Sequence, residues 1–113
     1  MKEITAIVQP FQLAAIVTAL EDIPDLPGIT VFEVQGFGRR RAEGAQDSLD
    51  DEGVLYAKKM QLELVVPDRL VELVMRTIQT RAHTGTPGDG KIFVHSLDDA
   101  LRIRTGERGE AAL

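Results

Sequence analysis

MQLELVVPDRLVELVMRTI, residues 60–78, changes its apolar rhythm across a single proline. Before Pro67, the residues Met60, Leu62, Leu64 and Val66 alternate with Gln61, Glu63 and Val65, the period-two pattern of a half-buried strand. After it, Leu70, Val71, Val74 and Ile78 fall on one face of a helix. The start of the chain has the same order. ITAIV (Ile4 to Val8) predicts a strand, and QPFQLAAIVTALEDI then places Leu13, Ile16, Val17, Leu20 and Ile23 at helical spacing, with Pro10 suited to the first turn.

DLPG marks a turn, after which ITVFEV (Ile29 to Val34) is rich in β-branched residues and predicts a second strand. KIFVH (Lys91 to His95) predicts a fourth. Strand, helix, strand, repeated twice, is the order of an α+β, ferredoxin-like βαββαβ sandwich: one four-stranded antiparallel sheet with both helices on one face. The other face needs cover. In so small a chain the economical source is another copy of itself.

The composition fits one domain spanning residues 1–113. Hydrophobic residues make up 43% of the chain but aromatics only 4%, so the core must be aliphatic. The absence of cysteine excludes disulfides, thiol catalysis and cysteine-bearing zinc sites, and a reducing, cytoplasmic setting is expected. No apolar run reaches signal-peptide or membrane-spanning length. A net charge of -5 argues against broad nucleic-acid binding.

Between the halves lies GFGRRRAEGAQDSLDDEGVLYAKK, residues 36–59, without a strong period of either kind. A loop of that length in a compact domain is usually functional or disordered. Its charges are segregated: Arg39, Arg40 and Arg41 at one base, Lys58 and Lys59 at the other, and Glu43, Asp47, Asp50, Asp51 and Glu52 in the middle. A solvated acidic tip is the plain reading of that middle, and DSLDDEG lacks the ligand spacing of an EF-hand.

TGTPGDGK, residues 84–91, nearly spells the phosphate loop of nucleotide hydrolases. It departs in that Ile92 replaces the magnesium-binding hydroxyl, and a helix precedes the glycines where a strand should. Gly85, Gly88 and Gly90 still permit positive φ and close approach, which an anion-binding nest needs, and Lys91 adds a charge beside them. An ordinary helix-to-strand turn is the alternative. In LRIRTGERG, Arg102 and Arg104 fall two apart, so an extended chain puts both on one face, within reach of one polyphosphate. A solvated tail, residues 102–113, is the alternative there.

Taken in order, MKEITAIVQPF, GITVFEVQGFGR, TGTPGDGKIFV and RIRTGERGEAAL resemble the PII signal-transduction family over essentially the whole chain. The resemblance implies a homotrimer with ATP or ADP bound in clefts between neighbours, and a long loop (the T-loop) that regulates a transporter or metabolic enzyme in nitrogen utilisation. It implies that Ile7, Thr30, Gly36, Phe37, Gly38, Arg39, Glu63 and Val65 surround adenine, ribose and loop base. Gly88, Asp89, Gly90 and Lys91 match the phosphate-binding loop, Arg102 and Arg104 the arginines given by a neighbour, and Lys59 the lysine that meets the γ-phosphate or 2-oxoglutarate.

The chain departs from that pattern at the loop. Where the family has a glutamine that ligates the magnesium bridging ATP to 2-oxoglutarate, this chain has Arg40. A guanidinium has donors only and repels a cation, so magnesium-dependent 2-oxoglutarate sensing is expected to be weakened or lost, with Arg40 turned to the phosphates or to solvent. The family's uridylylated tyrosine is replaced by Glu52. Tyr56 is expected to pack, Ser48 is a weak phosphorylation candidate, and an acidic tip suits a basic or metal-associated surface. An enzyme, such as a slow nucleotidase, is the competing class. Against it stand only two histidines, with His83 better explained as a helix-end residue. A metal-responsive module using Asp50, Asp51 and Glu52 is a third reading.

Overall fold

The computed structural model describes residues 1–37, 47–49 and 55–113. Strand β1 (Lys2–Val8) leads through a single 3-10 turn, Pro10–Gln12, into helix α1 (Leu13–Glu21). Strand β2 (Thr30–Gly36), short strand β3 (Asp47–Leu49) and long strand β4 (Leu55–Val66) follow. A second 3-10 turn, Asp68–Leu70, opens helix α2 (Val71–Ala82), and strand β5 (Gly90–Ser96) ends the sheet.

The sheet runs β2, β4, β1, β5, antiparallel at every junction, which is the ferredoxin-like order expected from the repeated strand-helix-strand pattern. Both prolines sit where the chain leaves a strand for a helix. Pro10 occupies the first position of its turn and Pro67 the position before it, where a missing N–H leaves no helical hydrogen bond unmade.

The alternation in residues 60–66 sorts side chains as expected. Leu62, Leu64 and Val66 of β4 and Ile4, Ala6 and Val8 of β1 are buried against Ile16 and Leu20 of α1 and Val74, Ile78 and Ala82 of α2. Ile23 is buried too, two residues past the end of α1. None of the four phenylalanines enters this core: Phe11, Phe32, Phe37 and Phe93 are all exposed.

The long connection differs from its sequence reading. β4 begins at Leu55, before the alternation that starts at Met60, and β3 pairs with its first residues, Asp47 opposite Ala57 and Leu49 opposite Leu55. A backbone ladder, not side-chain alternation, makes these residues strand, so LYAKK gives no period to read. The acidic residues Asp50, Asp51 and Glu52 lie outside the described residues.

Candidate functional site

Residues directly opposite in an antiparallel sheet point to the same side. Thr30, Glu63, Thr5 and Phe93 are successive partners across the sheet, and so are Phe32, Gln61, Ile7 and Lys91. Val65 and Lys59 extend these rows along β4, and Gly36 along β2, on the same parity. Since Ile4, Ala6, Leu62 and Leu64 take the opposite parity and fill the core, all of these site candidates share the sheet face turned away from the helices. Phe93 keeps 46% of its surface exposed and Phe32 37%, so among the described residues this face is uncovered and partly apolar.

The face ends at the glycine turn between α2 and β5. Gly85, Gly88 and Gly90 have φ of 89°, 100° and 105°, conformations that side-chain-bearing residues rarely adopt. At Gly90 a Cβ would lie 1.7 Å from the Ile7 carbonyl oxygen, so the close approach of β5 to β1 requires glycine. His83 ends α2, its N–H donating to the Gln79 carbonyl at 3.0 Å, as expected of a helix-end residue.

Asp89 is hydrogen-bonded within the turn itself. Its carboxylate accepts the backbone N–H of Thr84 at 2.8 Å and of Gly85 at 3.0 Å, together with the Thr84 hydroxyl. Burial acts to raise its pKa, but those hydrogen bonds and the nearby His83 ring outweigh it, and the carboxyl lies below its ordinary value. Asp89 therefore pins the turn from within. Thr84, absent from the sequence-derived site, is its main partner; a threonine opening a glycine turn five residues ahead of an aspartate is the readable signal.

Lys59 joins the base of the long loop to the turn, its Nζ donating to the Gly88 carbonyl at 2.9 Å. Gln61 Nε2 donates to Glu63 Oε1 at 3.1 Å, orienting a carboxylate in the middle of the open face. At the outer end, the exposed Phe37 faces the half-buried Tyr56 across the loop's two limbs, ring centroids 6.1 Å apart. Tyr56 thus packs, as expected. Gly38, Arg39 and Arg40 lie outside the described residues.

Arg102 and Arg104 are not in an extended chain. Leu101 bridges to Arg108, the Arg102 N–H donates to the Glu107 carbonyl at 2.9 Å, and the Gly106 N–H returns to the Arg102 carbonyl at 2.8 Å. Gly106 and Gly109, at φ of 75° and 66°, allow this tight hairpin, and an Arg108–Asp99 ion pair closes it. The glycines of the TGERG segment, not the spacing of the arginines, decide the local shape.

A cleft of about 510 Å³ opens on the far side of the turn, between α2 and β5, with Val8, Met75, Ile78 and Ile92 among its lining residues. It borders Asp89, Gly90 and Lys91 but holds none of the residues of the open sheet face other than Lys91. Among the described residues no group of acidic, histidine or cysteine side chains is placed to hold a metal ion, and no helix is long and apolar enough to cross a membrane.

A small ferredoxin-like domain, whose sheet face is uncovered among the described residues and ends at a pinned glycine turn, belongs to the class of compact α+β domains that present a surface for binding. The sequence model of the family "Nitrogen regulatory protein P-II" matches residues 1–107. The chain is 46% identical to the nitrogen regulatory protein P-II of Rhodospirillum rubrum, 42% to that of Azospirillum brasilense and 42% to nitrogen regulatory protein P-II 1 of Escherichia coli, each alignment covering 100% of both chains. The chain belongs to the nitrogen regulatory protein P-II family. The relatives' names are those of regulatory proteins and specify no reaction.

Proposed function

We propose that this protein is a cytoplasmic regulator, not an enzyme, that senses ATP and ADP in clefts between the subunits of a homotrimer and controls a transporter or metabolic enzyme of nitrogen utilisation through its long loop. The carrying observation is the register that gathers Ile7, Thr30, Gly36, Lys59, Glu63, Val65 and Lys91 on one face, uncovered among the described residues and ending at the positive-φ glycine turn. Apolar residues there favour burial against a sibling chain and an adenine ring, Glu63 offers an acceptor, and the amides of Gly88 and Gly90 with Lys91 suit phosphate. Arg102 and Arg104 are assigned to a neighbour's phosphates, and Phe37, Gly38 and Arg39 to the loop base near the nucleotide. Asp89 holds the turn.

Because the Lys59 contact links the loop base to the turn, phosphates arriving there act on the loop directly, biasing it between conformations that fit or reject a target. Arg40 sets this protein apart: with no acceptor for magnesium, it should blunt the 2-oxoglutarate response and favour direct contact with phosphate. Calorimetric titration of ATP and ADP, each with and without magnesium and 2-oxoglutarate, tests both statements. Adenylate binding with little 2-oxoglutarate dependence is expected, and Arg40→Gln should restore it. Strong MgATP-dependent 2-oxoglutarate binding by the unaltered protein would contradict the reading of Arg40.

A further inference from the structure

Every guanidinium nitrogen of Arg102 already has an acceptor inside its own chain. Nε donates to the Ala112 carbonyl at 3.3 Å, Nη2 to the Leu113 oxygen at 2.6 Å and Nη1 to the Glu107 carboxylate at 3.2 Å. The acceptors are organised in turn. Thr105 donates its hydroxyl to the same Glu107 oxygen at 2.8 Å, and the 3-10 turn Gly109–Ala112 is tied back through the Gly109 N–H to the Ala100 carbonyl at 2.9 Å.

Arginine grips phosphate through two parallel N–H groups, and here the Nε and Nη2 pair is spent on backbone oxygens while Nη1 holds a carboxylate. We propose that the segment 107–113 is a built-in occupant of Arg102 which polyphosphate displaces, so that lifting this segment sets part of the affinity for nucleotide. The proposal rests on the reading that Arg102 meets phosphate. One of its present acceptors, the Ala112 oxygen, is a neutral peptide carbonyl, weaker than a phosphate oxygen. Another, Glu107, has a side chain 45% exposed, so its ion pair with Arg102 is screened by solvent. Displacement by a polyanion is therefore favourable yet opposed. Arg104 lies in the same hairpin, exposed and outside any ion pair among the described residues, and is placed to make first contact.

ATP titration of the full chain, of Glu107→Gln, of a chain lacking residues 111–113 and of Arg102→Ala separates the possibilities. Glu107→Gln and the shortened chain should each bind ATP more tightly, by about tenfold for the loss of one or two such hydrogen bonds. In the unaltered protein, saturating ATP should speed exchange of the Leu113 amide, which donates to the Glu110 carbonyl at 3.1 Å. If both relieved chains bind ATP no better than the parent while Arg102→Ala loses binding, the segment is a prop for the arginine and the proposal fails. If Arg102→Ala binds ATP like the parent, Arg102 is not a phosphate ligand and the assignment beneath the proposal fails instead.

Discussion

Replacing Gly90 by alanine should unlock the glycine turn from the sheet. The added Cβ would stand 1.7 Å from the Ile7 carbonyl oxygen, 2.8 Å from its carbon and 3.3 Å from the Val8 Cα, all backbone atoms of the central strand β1. No side chain can swing aside to relieve that overlap. The residue also sits at φ 105°, where a non-glycine costs about 1–3 kcal/mol, and forcing extra volume into a packed site adds about 1–3 kcal/mol more. A loss of about 2–6 kcal/mol is expected, a large part of the roughly 5–15 kcal/mol of a typical domain. Urea unfolding at fixed protein concentration measures it, with Gly85→Ala as the comparison. At Gly85, φ is 89° but the nearest atom to a Cβ is His83 Nε2 at 3.8 Å, so only the backbone cost of about 1–3 kcal/mol applies. Equal midpoints for the two variants would refute the claim that β5 is held against β1 by this close approach.

Leu62→Ala, at a fully buried position of β4, should lower stability by about 2–5 kcal/mol, read by the same denaturation. Since the folded-state pKa of Asp89 is depressed, its contribution is present above the unfolded value of about 3.9 and lost as pH falls through the folded value. Asp89→Asn should therefore flatten the acid limb of the stability profile and speed amide exchange at Thr84 and Gly85. Lys59→Met should weaken ATP binding by about tenfold, the worth of one charged hydrogen bond, while leaving the fold intact by circular dichroism. Phosphate release by the unaltered protein should stay at the level of Arg102→Ala, as expected of a sensor.

The fold was legible where side-chain period and backbone geometry agree. In residues 60–78 the change of rhythm at Pro67 marks strand and helix, and the buried set Leu62, Leu64, Val66, Val74 and Ile78 follows from it. The glycine turn was legible as a positive-φ element because only glycine is at home there. The start of β4 was not, since residues 55–59 pair through backbone groups with β3 and β2 without an alternating pattern. Nor was the hairpin at Arg102. Spacing of two suggests a shared face only in extended chain, and Gly106 and Gly109 bend that chain back, turning the guanidinium onto Glu107, Ala112 and Leu113. The hydrogen bonds from Thr84 and Gly85 to Asp89 were not legible either, because a motif shows which residues meet and not which of them face inward.

Native mass spectrometry of the protein with ATP bears most directly on the idea that nucleotide is held between sibling chains. Assemblies of three chains carrying up to three ATP molecules are expected, with Arg102→Ala retaining the assembly but losing the nucleotide. Single chains, or trimers that take up no ATP at any concentration, would contradict it.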